Sequence, residues 1–335
     1  MQNPLVSILI PFKNTALYLP ECLQSILNQT YNNWELIIVD DHSTDSSYQL
    51  VKAISDVDSR ITLLKNESFG IIPALKLAFS HSKGLFITRM DSDDIMHTSK
   101  IETLVAKLLS HGKNCVATGL VRYFSDDGIS DGYRKYEKWL NKLTITGTNY
   151  AEIYKECVIP SPCWMVYKSD LEAVNSFNTS RYPEDYDLTF RFYGADYKII
   201  PCDSVLHYWR DYSTRTSRTD LNYAQNSFID IKLHYFLKLN KDQTRPLVVW
   251  GAGKRGKTIA NRLITLGVSF YWVCNNDKKI GKHIYEQEIR LESFIETLEH
   301  PQCIVSVANA AEQAQIRSYF NSRKEQAMQD YFFFC

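Results

Sequence analysis

The chain has 335 residues, and its 38 lysines and arginines balance 38 aspartates and glutamates, so no basic field marks it for a nucleic-acid groove or an anionic bilayer. That length exceeds what one hydrophobic core usually serves, which predicts two domains. No apolar run reaches bilayer length, the start Met1-Gln2-Asn3-Pro4 lacks the features of a secretion signal, and the eight cysteines lack C-x-x-C spacing; these predict a cytoplasmic protein with reduced core thiols.

In chain order, the run Val6 to Phe12 is β-rich and closed by proline, predicting a strand, and apolar residues at helical spacing from Tyr18 to Leu27 predict a helix. A second strand, Glu35 to Val39, runs into Asp40-Asp41-His42-Ser43-Thr44-Asp45, which is a helix-start signal as well as a ligand edge. A helix to about Ser55, a strand from Ile61 to Leu64, a helix from Ile72 to Ser80 and a strand from Leu85 to Thr88 follow. This alternation predicts an α/β fold with a mainly parallel, helix-covered sheet. Such sheets bind ligands beyond the carboxyl ends of their strands, where Pro11, Asp40 and Asp91 all fall. The last strand delivers Asp91-Ser92-Asp93-Asp94 into a loop. Carboxylates in D-x-D spacing suit Mg2+ or Mn2+ shared with a diphosphate, the ion stabilising charge on the leaving phosphate; a capped turn is the plainer alternative.

Tyr182-Pro183-Glu184-Asp185 opens a helical pattern through Arg191, with acids in the first turn, where the helix dipole favours them. His207 lies in an apolar stretch, as core histidines do, and Arg210, Arg215 and Arg218 offer phosphate clamps. Trp164 suits either the core or a sugar face. A Tyr- and Phe-rich helix over 222–239, then a polar stretch to Pro246, reads as a linker at 221–245. The strand Leu247 to Trp250 enters Gly251-Ala252-Gly253-Lys254-Arg255-Gly256-Lys257-Thr258, which satisfies G-x-G-x-x-G and Walker A together. Too little chain remains for a P-loop domain, and the run Ile304 to Ala308 ends in Asn309 rather than a magnesium-binding aspartate. A small Rossmann-like domain over 246–335 fits better, with Gly251, Gly253 and Gly256 as a second nucleotide site. The strand Phe270 to Cys274 ends at Asn275-Asn276-Asp277 without a clean acid for a ribose, so NAD(P) binding stands beside a glycine turn kept only for packing.

The ordered motifs Val6 to Pro11, Ser25 to Tyr31, Trp34 to Asp45 and Arg89 to Asp94 resemble the GT-A glycosyltransferases of family 2. Trp209-Arg210-Asp211, Ser217-Arg218-Thr219, Trp250 to Gly253, Lys278 to Lys282 and the terminal Asp330 to Cys335 extend the likeness to a bacterial group with an appended Rossmann-like domain. The resemblance implies a GT-A domain over 1–220, with a nucleotide-sugar half to residue 100 and an acceptor half beyond. It implies that Asp40 contacts the base, Pro11 and Asp41 shape the pocket, and Ser92 lines the donor. Asp91 is implied near the ribose and the metal, with Asp93 the direct metal ligand and His207 the third. Arg89 pairs with the diphosphate or neutralises the acidic triplet. Asp185 is implied as general base and Glu184 as its or the acceptor's orienting group, with Trp164, Arg210 and Arg215 contacting acceptor or phosphate. His42, Lys76 and Tyr212 depart from the usual pattern. The expectation is a metal-dependent inverting transfer from a nucleoside-diphosphate sugar, UDP-linked, to a hydroxyl of a cell-surface glycan or lipid-linked precursor, at the inner face of the membrane. Peripheral membrane association would come through the acceptor. A nicotinamide-dependent sugar oxidoreductase and a non-catalytic sugar-nucleotide sensor are the alternatives.

Overall fold

The computed structural model describes residues 3–215 and 228–335. Chain contacts divide it into two units, Met1–Tyr150 with Val158–Asp220, and Ala151–Cys157 with Leu221–Cys335. The expected Arg218 and the amino-terminal part of the 222–239 helix lie outside the described residues.

The first unit is built on strands β1 (Val6–Phe12), β2 (Trp34–Asp40), β3 (Ile61–Lys65) and β4 (Phe86–Arg89), separated by helices α1 (Leu19–Leu27), α2 (Ser47–Ser55) and α3 (Ile71–His81). Strands β5 (Ile95–Met96), β6 (Cys115–Phe124), β7 (Trp164–Tyr167) and β8 (Lys198–Arg210) complete one eight-stranded sheet in the order β3-β2-β1-β4-β7-β6-β8-β5. Strands β1 to β4 pair in parallel, as the β-α-β alternation predicts, whereas β7 runs antiparallel to both β4 and β6. Helices α4 (Lys100–His111), α5 (Asp131–Thr146), α6 (Lys168–Ala173) and α7 (Glu184–Gly194) accompany this second half.

The period-2 alternation of β1 explains why helices cover both faces. Val6, Ile8 and Ile10 pack with Leu19, Cys22, Leu23 and Ile26 of α1 in one buried cluster, while Leu9 packs with Ala74, Leu75 and Ala78 of α3 in another. Register aligns the strand ends: Phe12 lies opposite Asp40, Asp40 opposite Lys65, and Leu9 opposite Arg89. The loops after β1, β2, β3 and β4 therefore leave from one edge. The long β8 returns to that edge, pairing Met96 with His207 through β5.

In the second unit, α8 (Ile229–Tyr235) precedes β9 (Leu247–Trp250), α9 (Lys254–Thr265), β10 (Tyr271–Cys274), β11 (His283–Ile284), β12 (Gln287–Leu291), β13 (Gln302–Val305), α10 (Ala310–Ser322) and β14 (Tyr331–Phe333). The sheet order is β11-β12-β10-β9-β13-β14, parallel except for the β11–β12 hairpin. The run expected as a strand to Ala308 leaves the sheet after Val305, and Asn309 instead caps α10 by accepting from the Ala311 and Glu312 amides at 2.9 and 3.1 Å. Residues 151–157 belong here because Tyr154 stacks on Phe334 at 5.1 Å and donates to Asn240 at 2.6 Å. Among the described residues no helix is long and apolar enough to cross a membrane, and Cys22, Cys115, Cys163, Cys202, Cys274 and Cys303 are buried thiols.

Candidate active site

At the carboxyl end of β4, Arg89 is buried between two acids. One guanidinium nitrogen meets Glu184 Oε1 at 2.8 Å and the other meets Asp91 Oδ1 at 3.1 Å. The side chain is 6% exposed, so its charge is spent on these carboxylates. Both acids that Arg89 meets lie at the site, and its two bonded nitrogens are directed at them. The bridge also ties the D-x-D loop to the first turn of α7, which the dipeptide Glu184-Asp185 opens after Pro183.

Asp185 is half-buried, and its carboxylate accepts from the Tyr186 amide at 2.7 Å. Burial and then the neighbouring Glu184 charge push it up to about 7, against the opposing pull of Arg89. A carboxyl held there can exchange a proton near neutral pH, which a general base requires.

Asp93 is also pushed up to about 7, first by burial and then by Asp94 and Asp91, while Arg215 and the Tyr212 hydroxyl oppose the shift. Tyr212 donates to Asp93 Oδ2 at 2.8 Å. Three acids in four residues, with Arg215 close by, make a site that a divalent cation would relieve. Mg2+-type sites commonly use one or two protein carboxylates with substrate phosphates completing the shell. Asp91 and Asp93 fit that donor set. His207 does not join it: its Nε2 lies 2.9 Å from Asp94 Oδ2, and Asp94 Oδ1 accepts from the Arg210 amide at 2.8 Å. The β5–β8 register delivers the ring to Asp94, burying both side chains completely. Among the described residues no group of three or more His, Cys, Asp or Glu side chains converges as a metal cage.

Two further expectations are corrected. Trp164 is 3% exposed and packs in the core with Leu9, Ile37 and Phe192, because β7 is an interior strand; it does not line an acceptor pocket. Arg210 is not a free phosphate clamp, since its Nε donates to the Asp93 carbonyl at 2.8 Å, it pairs with Glu21, and its guanidinium lies over Phe124 at 4.5 Å. Burial raises both Asp93 and Asp94, and Arg215 stays beside the acidic loop, where its charge opposes that rise.

At the β2 end, Asp40 Oδ1 accepts from the Ser43 amide at 3.1 Å. Asp41 takes the Gly70 amide at 2.9 Å and the Asn66 side chain at 2.7 Å, so it shapes the loop after β3. Asp45 accepts from the Ser47 and Ala16 amides at 2.9 and 3.1 Å, tying the start of α2 to the loop after β1. Pro11, the penultimate residue of β1, is half-buried, and Ser92 is buried within the acidic loop. Sequence reasoning missed Asn66, Gly70 and Glu21. For the first two, the available signal was a polar-glycine stretch directly after a strand.

In the second unit, the loops at the carboxyl ends of β9, β10 and β13 border a cavity of about 510 Å³ lined by Gly251, Gly253, Arg255, Asn275, Glu292 and Val307 among others. Gly251 has φ +116°, and a Cβ there would sit 2.6 Å from Ser306 Oγ; a Cβ on Gly256 would overlap the Gly251 carbonyl. Both glycines are thus required by close packing, whereas Gly253 faces open space.

Residues 7–174 match the family described as Glycosyl transferase family 2, and the chain belongs to that family. It is 31% identical over 232 residues to glycosyltransferase GlyG of Streptococcus pneumoniae, covering 67% of this chain and 77% of that protein. It is 28% identical over 212 residues to GlyA of the same organism, where the match spans 61% of this chain and only 30% of the relative. Among solved structures, S. aureus TarS in complex with UDP-GlcNAc superposes with a TM-score of 0.55 at 16% identity, covering 78% of this chain and 72% of that one. The mannosyltransferase PcManGT from Pyrobaculum calidifontis, in complex with GDP-Man and Mn2+, gives 0.53 at 18% identity, covering 71% and 64%. These likenesses establish the GT-A fold, and the first unit is a glycosyltransferase domain.

Proposed function

We propose that the chain transfers a sugar, with inversion, from a nucleoside diphosphate, UDP by preference, to a hydroxyl of a glycan or lipid-linked acceptor. The observation that carries this reading is the Arg89 bridge, which builds the D-x-D loop and the Glu184-Asp185 helix start into one site. Relatives named as glycosyltransferases and a neighbour holding UDP-GlcNAc support it. Asp91 and Asp93 would hold Mg2+ or Mn2+, whose contribution when bound is to neutralise charge on the departing diphosphate. Asp185 takes the proton from the attacking hydroxyl, and Glu184, fixed by Arg89, holds the base in place. Asp40 and Pro11 receive the nucleoside. On this reading, residues 1–100 serve the donor and 101–220 the acceptor, with attachment to the inner membrane face arising from a lipid-linked acceptor.

The second unit is proposed to be Rossmann-like, with the cavity at Gly251, Gly253 and Gly256 as a second nucleotide site. Its support is the cavity's place where strand order reverses, between β9 and β13.

Calorimetric titration of the full chain with UDP, GDP and their sugars in Mn2+ tests the donor assignment. Metal-dependent binding that Asp93→Ala weakens at least tenfold is expected. Binding indifferent to metal and to Asp93 would sink it.

A further inference from the structure

Phe69 is 75% exposed, yet nothing about its loop is loose. Asp41 holds both Asn66 and Gly70, the Asn66 side-chain Oδ1 accepts from the Ser68 amide at 3.2 Å, and His42 Nε2 lies 2.7 Å from the Ser68 backbone carbonyl. The His42 ring, placed by a left-handed backbone at φ +61°, stacks on Phe69 with centroids 4.1 Å apart and planes 17° from parallel. An apolar ring backed on one face and fixed at its base is thus displayed to solvent, at a cost that core packing does not explain.

Its place on the sheet edge indicates what it meets. The loop leaves β3 beside Asp40, because Asp40 pairs with Lys65. The acidic loop leaves β4, three strands away in the order β3-β2-β1-β4, and Arg89 ties that end to Glu184. At about 4.8 Å per strand, these two ends are roughly 14 Å apart. A nucleoside diphosphate with its phosphates at Asp91 and Asp93 must extend its base away from Asp185, toward β2 and β3. The acceptor belongs at the opposite end.

Resting on the transferase reading above, we infer that His42 and Phe69 form a stacking platform for the nucleobase of the donor, with Phe69 the contacting ring. Stacking is tolerant of base identity, so the pair adds affinity while the choice among bases falls to hydrogen-bonding groups such as Asp40.

The test compares UDP with pyrophosphate, which lacks a base, as Mn2+-dependent ligands of the full chain, of Phe69→Ala and of Phe69→Trp. The expected result is about a tenfold loss of UDP affinity in Phe69→Ala, recovery in Phe69→Trp, and unchanged pyrophosphate binding. Equal losses for UDP and pyrophosphate would show that the loop, not the stack, was disturbed, and would overturn the platform. Unchanged UDP binding in Phe69→Ala would also overturn it while leaving the transferase reading intact. Failure of the native chain to bind any nucleoside diphosphate would instead remove the transferase reading on which it rests.

Discussion

The carboxyl edge of the first sheet and that of the second carry motifs of the same kind, short polar loops after parallel strands, but they are built differently. At the first edge, burial and then the neighbouring carboxylates push Asp93 and Asp185 up to about 7, and Arg89 is drawn inside to bridge Asp91 and Glu184. At the second, the motif is fulfilled mainly by shape: Gly251 and Gly256 let α9 approach β9, and Ser306 donates to the Trp250 and Gly251 carbonyls at 3.0 and 3.2 Å. The difference teaches that a glycine fingerprint can be satisfied by packing alone. Carboxylates crowded together and drawn partly out of water cost stability and imply chemistry that uses them.

Replacing the base should separate the two edges most sharply. Asp185→Asn is expected to lower turnover by 10²- to 10⁴-fold with donor affinity nearly unchanged, measured as UDP release from a UDP-sugar with acceptor; an active variant would move the base elsewhere. Arg89→Met leaves Glu184 and Asp91 without their cation, and a loss of about 3 to 5 kcal/mol is expected in denaturant unfolding of the first unit. Gly256→Ala should act on the second edge alone. Its Cβ must displace the Gly251 carbonyl, so a loss of about 1 to 3 kcal/mol is expected in unfolding of that unit, with UDP affinity at Asp93 unaltered.

The pH response is a further test of the first edge. Asp185 must be ionised to accept a proton, so turnover is expected to rise as pH climbs through about 7 and to level off above it. The same raised value means that the folded chain keeps a proton the unfolded chain loses near pH 4, so this group costs stability as pH rises from about 4 to about 7. A rate profile flat from pH 6 to 8 would count against Asp185. The smallest effect is expected from Tyr212→Phe, which removes one hydrogen bond to Asp93 and should weaken Mn2+-dependent UDP binding by an amount worth about 0.5 to 1.5 kcal/mol.

The alternating strands and helices of the first unit, and the placement of Pro11, Asp40 and Asp91 at strand ends, were legible because periodicity and turn residues act over a few neighbours. So was the helix start at Glu184-Asp185, since acids favour a first turn whatever lies around it. Trp164 was ambiguous for the same reason: an aromatic residue reads alike in a core and on a sugar face until the strand order buries it.

What the local pattern could not decide was which charge meets which. Arg89 finds Glu184 across 95 positions and His207 finds Asp94 across 113, through the placement of α7 and the β5–β8 register respectively. The sequence by itself determined the elements and the kinds of side chain at their ends. Only the tertiary structure assigned the partners, because electrostatic pairing in a buried edge depends on distances of a few ångströms that strand order and register set.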